Sequence, residues 1–236
     1  MQEEIAGLVE AMGPGRREQT RGGRTYHRGT LFGVDAVVAF SRWGKVAAAT
    51  TATHLVVAEG VSEVVFTGVA GGADRALHVG DVVVASELVQ HDMNAEPLFP
   101  RHEIPLLGLS RFATDEARRH RALEAAARFL AAPPAAAARF GIAAPRAVAG
   151  AIASGDKFFA DAAELAEVRA RLPGLACVEM EGAAVAQVCH EYGVPLTVIR
   201  TISDAADEGA PADFAAFVRE VASRYSVGIV RELLAA

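Results

Sequence analysis

Six short runs rich in β-branched residues, at 35–40, 63–68, 81–89, 146–155, 175–179 and 195–203, alternate with longer alanine-rich stretches. No other feature of the chain restricts the fold as much. Runs such as DVVVASELV and PLTVIRTIS read as strands bounded by turn residues. The stretches 45–59, 115–131, 161–171, 181–191 and 213–234 read as helices. The last is the clearest, because Phe214, Phe217, Val218, Val221, Tyr225, Ile229 and Leu233 return to one side at helical spacing. This alternation predicts a three-layer α/β/α sandwich with a mixed central sheet, as one domain over 1–236. Residues 91–112 carry no regular pattern and include Pro97, Pro100 and Pro105, which predicts a lid or an interface arm. The 131–140 stretch, AAPPAAAARF, reads as a connector.

Charge and residue usage exclude several function classes. A formal charge of −6 with dispersed basic residues argues against nucleic-acid binding. The most basic tract, GPGRREQTRGGRTYHRG, has no aromatic interleaving and reads as a turn and exposed hairpin. The 2 cysteines, Cys177 and Cys189, lie in apolar surroundings and read as buried thiols of a reducing compartment. The opening MQEEIAGLVEAM has carboxylates where a targeting segment would carry positive charge, and no apolar run is long enough for a membrane span. A cytoplasmic protein is therefore expected. None of the 7 histidines shows ligand spacing with acids or cysteines, so neither a metal nor an organic cofactor is expected.

Ligands of α/β sheets collect at strand ends, and here the strands end in polar residues. VVFTGVAGG runs into Gly68, Gly71 and Gly72, which fits close backbone approach to a ligand as well as an ordinary tight turn. CVEMEGAAVAQVC puts Glu179 and Glu181 at a strand-to-helix junction, where one carboxylate can cap the helix and the other can hold sugar hydroxyls. Met180 between them suits either core packing or a ribose face. VIRTISDAAD ends in Arg200, Ser203, Asp204 and Asp207. A partly desolvated Asp204 can retain a proton as a general acid or simply cap a turn, and Arg200 and Asp207 are candidate structural partners of that loop. SGDKFFAD supplies two adjacent rings, Phe158 and Phe159, as core or as a cover over a flat base.

With these motifs in hand, the chain resembles the 5'-methylthioadenosine/S-adenosylhomocysteine nucleosidases of the nucleoside phosphorylase superfamily. The likeness covers nearly the whole length: QEEI, SRWGKVAAATTATHLV, TGVAGG, VGDVVVASELVQHD, SGDKFF, VEMEGAAVAQVCHEYGVP, RTISDAAD and DFAAFV occur in the family's order. The resemblance implies a nucleoside phosphorylase/hydrolase-like fold. It implies that Asp204 protonates adenine N7, that Glu4 activates the attacking water and that Glu181 binds the ribose hydroxyls. Phe158 then stacks on adenine, Phe159 reads the base edge through its backbone, Met180 lies against the ribose and Phe214 lines the 5'-substituent pocket. Ser203 and Arg200 support the acid loop, and Trp43, Ala70, Gly71 and Glu179 join the substrate-binding set. A homodimer is implied, with Ala95 and Leu98 of one subunit completing the pocket of the other. Family members usually carry a short apolar strand ahead of the Glu4 segment, and its absence from this sequence is expected to loosen Glu4. Val69 also stands where many relatives have a small polar residue, and the 91–108 arm differs from theirs.

The chemistry implied is acid-assisted departure of adenine and capture of an oxocarbenium-like sugar by activated water, the logic of inverting glycosidases moved to a C–N bond. Two same-fold alternatives stand beside it. One is a hydrolase of another adenine nucleoside, of the aminodeoxyfutalosine type. The other is a phosphate-dependent purine nucleoside phosphorylase, which the carboxylates of MQEEI disfavour by repelling the anion. A non-catalytic nucleoside-binding module is the alternative from another class.

Overall fold

The structure, a computed structural model, describes residues 2–159, 161–204 and 214–235. Helix α1 (Gln2–Ala11) leads into strands β1 (Arg17–Arg21), β2 (Arg24–Leu31) and β3 (Val34–Ala39), which form a separate antiparallel sheet. The basic tract is indeed a hairpin. Gly22 and Gly23, at φ 55° and 70°, make the two-residue turn that a twisted hairpin favours, and every residue of β1 is exposed.

Helix α2 (Lys45–Val57) follows, then β4 (Val64–Gly72), β5 (Val82–Gln90), β6 (Phe112–Ala113), α3 (Glu116–Leu130), a 3-10 turn (Ala135–Phe140), β7 (Ala147–Ser154), α4 (Ala162–Arg171), β8 (Leu175–Glu179), α5 (Gly182–Tyr192) and β9 (Leu196–Asp204). The chain closes with α6 (Phe214–Phe217), a π turn (Val218–Ala222) and α7 (Ser223–Leu234). The six strands from β4 to β9 form the mixed sheet in the order β6-β5-β7-β8-β4-β9, and β5 also pairs with β9, so the sheet curls on itself.

Helices cover both faces of this sheet. On one, Ala48 and Ala52 of α2 and Ala183, Ala186 and Cys189 of α5 pack with Leu88, Ile152 and Val198. On the other, Ala122 and Ala126 of α3 and Tyr225 and Ile229 of α7 pack with Val82, Val84 and Ile199. Alanine at the contact lets each helix axis approach the sheet closely, and truncating a fully buried residue such as Ile152 to alanine would destabilise by about 2–5 kcal/mol. Helix α1 packs through Leu8 and Met12 against Leu31, Val38 and Val230, which fixes the helix that carries Glu4.

Two sequence expectations are modified. The 213–234 helix is divided by the π turn, whose extra residue rotates Phe214 about the axis relative to Tyr225 and Ile229. The arm at 91–112 lacks regular structure up to β6, and it is tied down by one bridge, Ile104 to Leu109, and by the His102 ring at 3.1 Å from the Gln90 carbonyl. The strand register then gathers the polar strand ends. Gly71 is the partner of both Val178 and Asp204, and Ser154 is the partner of Glu179.

Candidate active site

These strand ends form one wall of a cavity of about 890 Å³. Glu4, Trp43, Ala70, Gly71, Phe158, Phe159, Glu179, Met180, Glu181, Arg200, Ser203, Asp204 and Phe214 all border it. Segments from both ends of the chain thus meet in one place. Ala95 and Leu98 do not border it, and Leu98 is exposed on the arm. Asp207 lies outside the described residues. The cavity continues between β3 and β4, which do not pair with each other and which both border it along successive residues, 34–40 and 64–71.

Geometry separates the two glutamates that the strand-to-helix pattern by itself left equivalent. Glu179 is the helix cap: its carboxylate accepts the Gly182 amide at 2.8 and 3.0 Å and the Glu181 amide at 3.1 Å, at the positive end of α5. It also accepts the Ser154 hydroxyl and pairs with Arg200 Nη2 at 2.7 Å. Arg200's partner is therefore Glu179, with both side chains almost fully buried. Glu181 makes no capping bond of its own. Its Oε1 accepts the Gly44 amide at 2.9 Å, across from the N-terminus of α2. Burial and the charge of Glu179 push its carboxyl up to about 7, against the lowering pull of Arg200 and of the Gly44 and Met180 amides. Glu181 thus titrates in the neutral range and faces the cavity.

Arg200 stacks on Phe66, 4.2 Å from the ring centroid, and its Nε and Nη1 find no hydrogen-bond partner among the described residues. A Cβ placed on Gly68 would stand 2.9 Å from Arg200 Nη1 and 3.5 Å from Glu4 Oε1. The guanidinium and the Glu4 carboxylate therefore converge above that glycine, and only the missing side chain keeps the space between them open. At the other end of the wall, Ser203 Oγ donates to Asp204 Oδ2 at 2.6 Å and lies 3.3 Å from the Ala70 carbonyl, which orients the Asp204 carboxyl. Phe158 and Phe214 meet edge to face at 6.3 Å, and Phe159 is buried against His91 at 5.2 Å.

Sequence reasoning missed Gly44, whose contact is a backbone amide; the glycine itself is explained by its φ of 89° and by Asp156 Oδ1, 2.9 Å from where a Cβ would stand. That reasoning drew only the two rings from SGDKFFAD, whereas the hydroxyl of Ser154, the first residue of that motif, bridges Glu179 and the Ala183 amide, at 2.7 Å from the latter. Among the described residues, no group of three His, Cys, Asp or Glu side chains is arranged to hold a metal, and no helix is long and apolar enough to cross a membrane.

Comparison with known proteins covers the same ground. The Phosphorylase superfamily model matches residues 1–235. The chain is 37% identical over 218 residues to the 5'-methylthioadenosine/S-adenosylhomocysteine nucleosidase of Shewanella putrefaciens, covering 92% of this chain and 88% of the relative. The solved structure of the corresponding nucleosidase from Colwellia psychrerythraea, in complex with adenine, is similar with a TM-score of 0.84 and 33% identity, over 100% of this chain and 91% of that one. The native futalosine hydrolase of Helicobacter pylori is similar to the same degree, with a TM-score of 0.84 and 34% identity over 100% and 94% of the two chains.

Proposed function

This chain belongs to the phosphorylase superfamily, among the 5'-methylthioadenosine/S-adenosylhomocysteine nucleosidases, and from that premise we infer how it works on its substrates. It hydrolyses the N-glycosidic bond of 5'-methylthioadenosine and S-adenosylhomocysteine, releasing adenine and the 5-thio-substituted ribose. The observation that carries the reading is the meeting of Glu4 and Asp204, from opposite ends of the sequence, on one cavity.

Asp204, steered by Ser203, donates a proton to N7 as the bond breaks, so adenine leaves neutral. Glu4 takes a proton from water in the space above Gly68, with Arg200 beside it, and the hydroxide adds to the anomeric carbon. Glu181 accepts the ribose hydroxyls. Phe158 covers the base, the Phe159 backbone reads its edge, Met180 meets the ribose face, and Trp43 and Phe214 flank the 5'-substituent. Glu179 acts from beneath, holding Arg200 and the start of α5. The whole chain acts as a single domain. Subunits pair, and Ala95 and Leu98 complete the partner's pocket, a role supported by the exposed Leu98 and Leu106 on the irregular arm. Two unpaired thiols suit the reducing cytoplasm, and the net charge of −6 suits a small-molecule enzyme rather than a nucleic-acid binder.

The equal similarity to a futalosine hydrolase favours a second substrate on the same machinery, an adenine nucleoside with a bulkier 5'-tail. The test is adenine release from methylthioadenosine, S-adenosylhomocysteine and a futalosine-type nucleoside, with and without phosphate. Phosphate-independent release from the first two is expected. Strict phosphate dependence would make the chain a phosphorylase, and activity on the third alone would make it a hydrolase of that nucleoside class.

A further inference from the structure

A second polar cluster, Lys45, Asp92 and Asp156, is not used by this chemistry, yet it joins three segments around the ribose end of the cavity. Lys45 Nζ donates to Asp92 Oδ1 at 2.6 Å and to Gln90 Oε1 at 3.0 Å, at the end of β5. The Lys45 amide donates to Asp156 Oδ1 at 2.7 Å, just past β7. The Asp156 amide donates back to Asp92 Oδ2 at 2.9 Å, which closes the ring of contacts. None of the three side chains borders the cavity.

What they adjoin does border it. Helix α2 has no capping side chain of its own. The amides of Gly44 and Lys45 at its start are taken by Glu181 and Asp156, carboxylates 137 and 111 positions away. Phe158 and Phe159 follow Asp156 after the single residue Lys157, and His91, between Gln90 and Asp92, packs on Phe159. Burial works to raise the Asp92 carboxyl, but Lys45, the Asp156 amide and His91 together hold it below the usual range, so it stays ionised at neutral pH.

We propose that Lys45, Asp92 and Asp156 are positioning residues, a clamp that holds the Gly44 N–H on Glu181 and sets the Phe158–Phe159 segment over the base. The inference rests on the nucleosidase reading for what is bound, but its main consequence is measurable without substrate. Glu181 is faced by Glu179, by Arg200 and by the Gly44 and Met180 amides. Losing the Gly44 donor removes an interaction with the charged carboxylate and raises its titration midpoint.

The experiment uses the whole chain and the variants Asp92→Asn and Lys45→Met, with Lys45→Arg as the charge-preserving control. Carboxyl carbon NMR follows the titration of Glu181, assigned with Glu181→Gln, and steady-state kinetics with methylthioadenosine give KM and kcat. The midpoint near 7 is expected to move upward in the first two variants. KM is expected to rise about tenfold, the scale of one hydrogen bond to a charged group, with kcat nearly unchanged and partial recovery in Lys45→Arg. An unmoved midpoint in both Asp92→Asn and Lys45→Met overturns the clamp, as does a parallel fall in kcat, kcat/KM and Tm that marks a merely structural role. If the wild type releases no adenine, the nucleosidase reading fails, and the titration midpoint alone still decides the clamp.

Discussion

The floor and the mouth of the cavity are built on opposite terms. On the floor, Arg200 and Glu179 are 1% and 8% exposed, and the Glu179 carboxylate is fully engaged by Arg200, Ser154 and two amides. At the mouth, Trp43 and Phe158 are 62% and 51% exposed, and their apolar surface waits to be covered. Polar groups oriented before the substrate arrives need no reorganisation during reaction, which is where transition-state stabilisation is concentrated. Exposed rings contribute only when a ligand buries them, which is a contribution to binding. Under the proposed function, the contrast predicts that rate depends on the floor and substrate choice on the mouth.

The sharpest way to break this division is at the two residues proposed to transfer protons. Asp204→Asn and Glu4→Gln are expected to lower kcat by about 10²- to 10⁴-fold each while retaining part of the nucleoside affinity. Near-normal kcat in either variant, measured by adenine release, would remove that residue from the chemistry. Next in size is the pair beneath. Arg200→Met leaves the Glu179 carboxylate buried without its cation, a change of about 3–5 kcal/mol in stability. At about 2–4 °C per kcal/mol for a chain of this size, thermal unfolding should show a fall of roughly 10 °C. A shift within a degree or two would mean that the floor is less rigid than its hydrogen bonds imply.

Glu181 stands between the two regions and supplies a smaller, pH-dependent effect. Its carboxyl is raised from the ordinary 4.5 to about 7, first by burial and then by Glu179, so the folded state holds its proton more tightly than the unfolded chain does. Its contribution to stability is therefore most favourable below 4.5 and is lost as pH rises through about 7. Glu181→Gln should be more stable than the wild type at pH 8, and the difference should vanish toward pH 4 in denaturant titrations. With Glu181 in its proposed role as acceptor of the ribose hydroxyls, binding runs the other way: wild-type KM should fall as pH rises through 7, and the glutamine variant should lose that dependence.

The floor was more legible in the sequence than the reason it works. The run LACVE has the boundaries of β8, and β9 ends on Asp204, one residue beyond the expected strand, because β-branched runs stopped by polar residues encode strand ends locally. The choice between Glu179 and Glu181 as helix cap was not legible. It is decided by Arg200 and Gly44, which are remote in sequence and reach the site only through the sheet register and the start of α2. The π turn ahead of α7 was hidden for a related reason, since the apolar spacing from Phe214 to Leu233 tolerates one extra residue without losing its inner face. Glu4 was placed by resemblance alone, and the helix that carries it is fixed by Leu8 and Met12 packing on α7 and β3.

The mouth gives the smallest expected effect and the most direct test of the division. Trp43 borders the cavity and precedes Gly44, whose amide holds Glu181, while Phe158 meets Phe214 edge to face. Removing an exposed ring should lose only the area that substrate would have covered, about 1–2 kcal/mol at 25 cal/mol/Å². For Phe158→Ala that loss should raise KM about tenfold for every adenine nucleoside, because the base is common to all of them. For Trp43→Ala it should depend on the 5'-substituent: large for a bulky tail, small for a methylthio group, with kcat held in both cases. Ratios of kcat/KM for methylthioadenosine and S-adenosylhomocysteine in the two variants measure this. If Trp43→Ala shifted both substrates equally, the ring would be serving Glu181 through Gly44 rather than the tail, and the boundary between floor and mouth would run through α2 instead of in front of it.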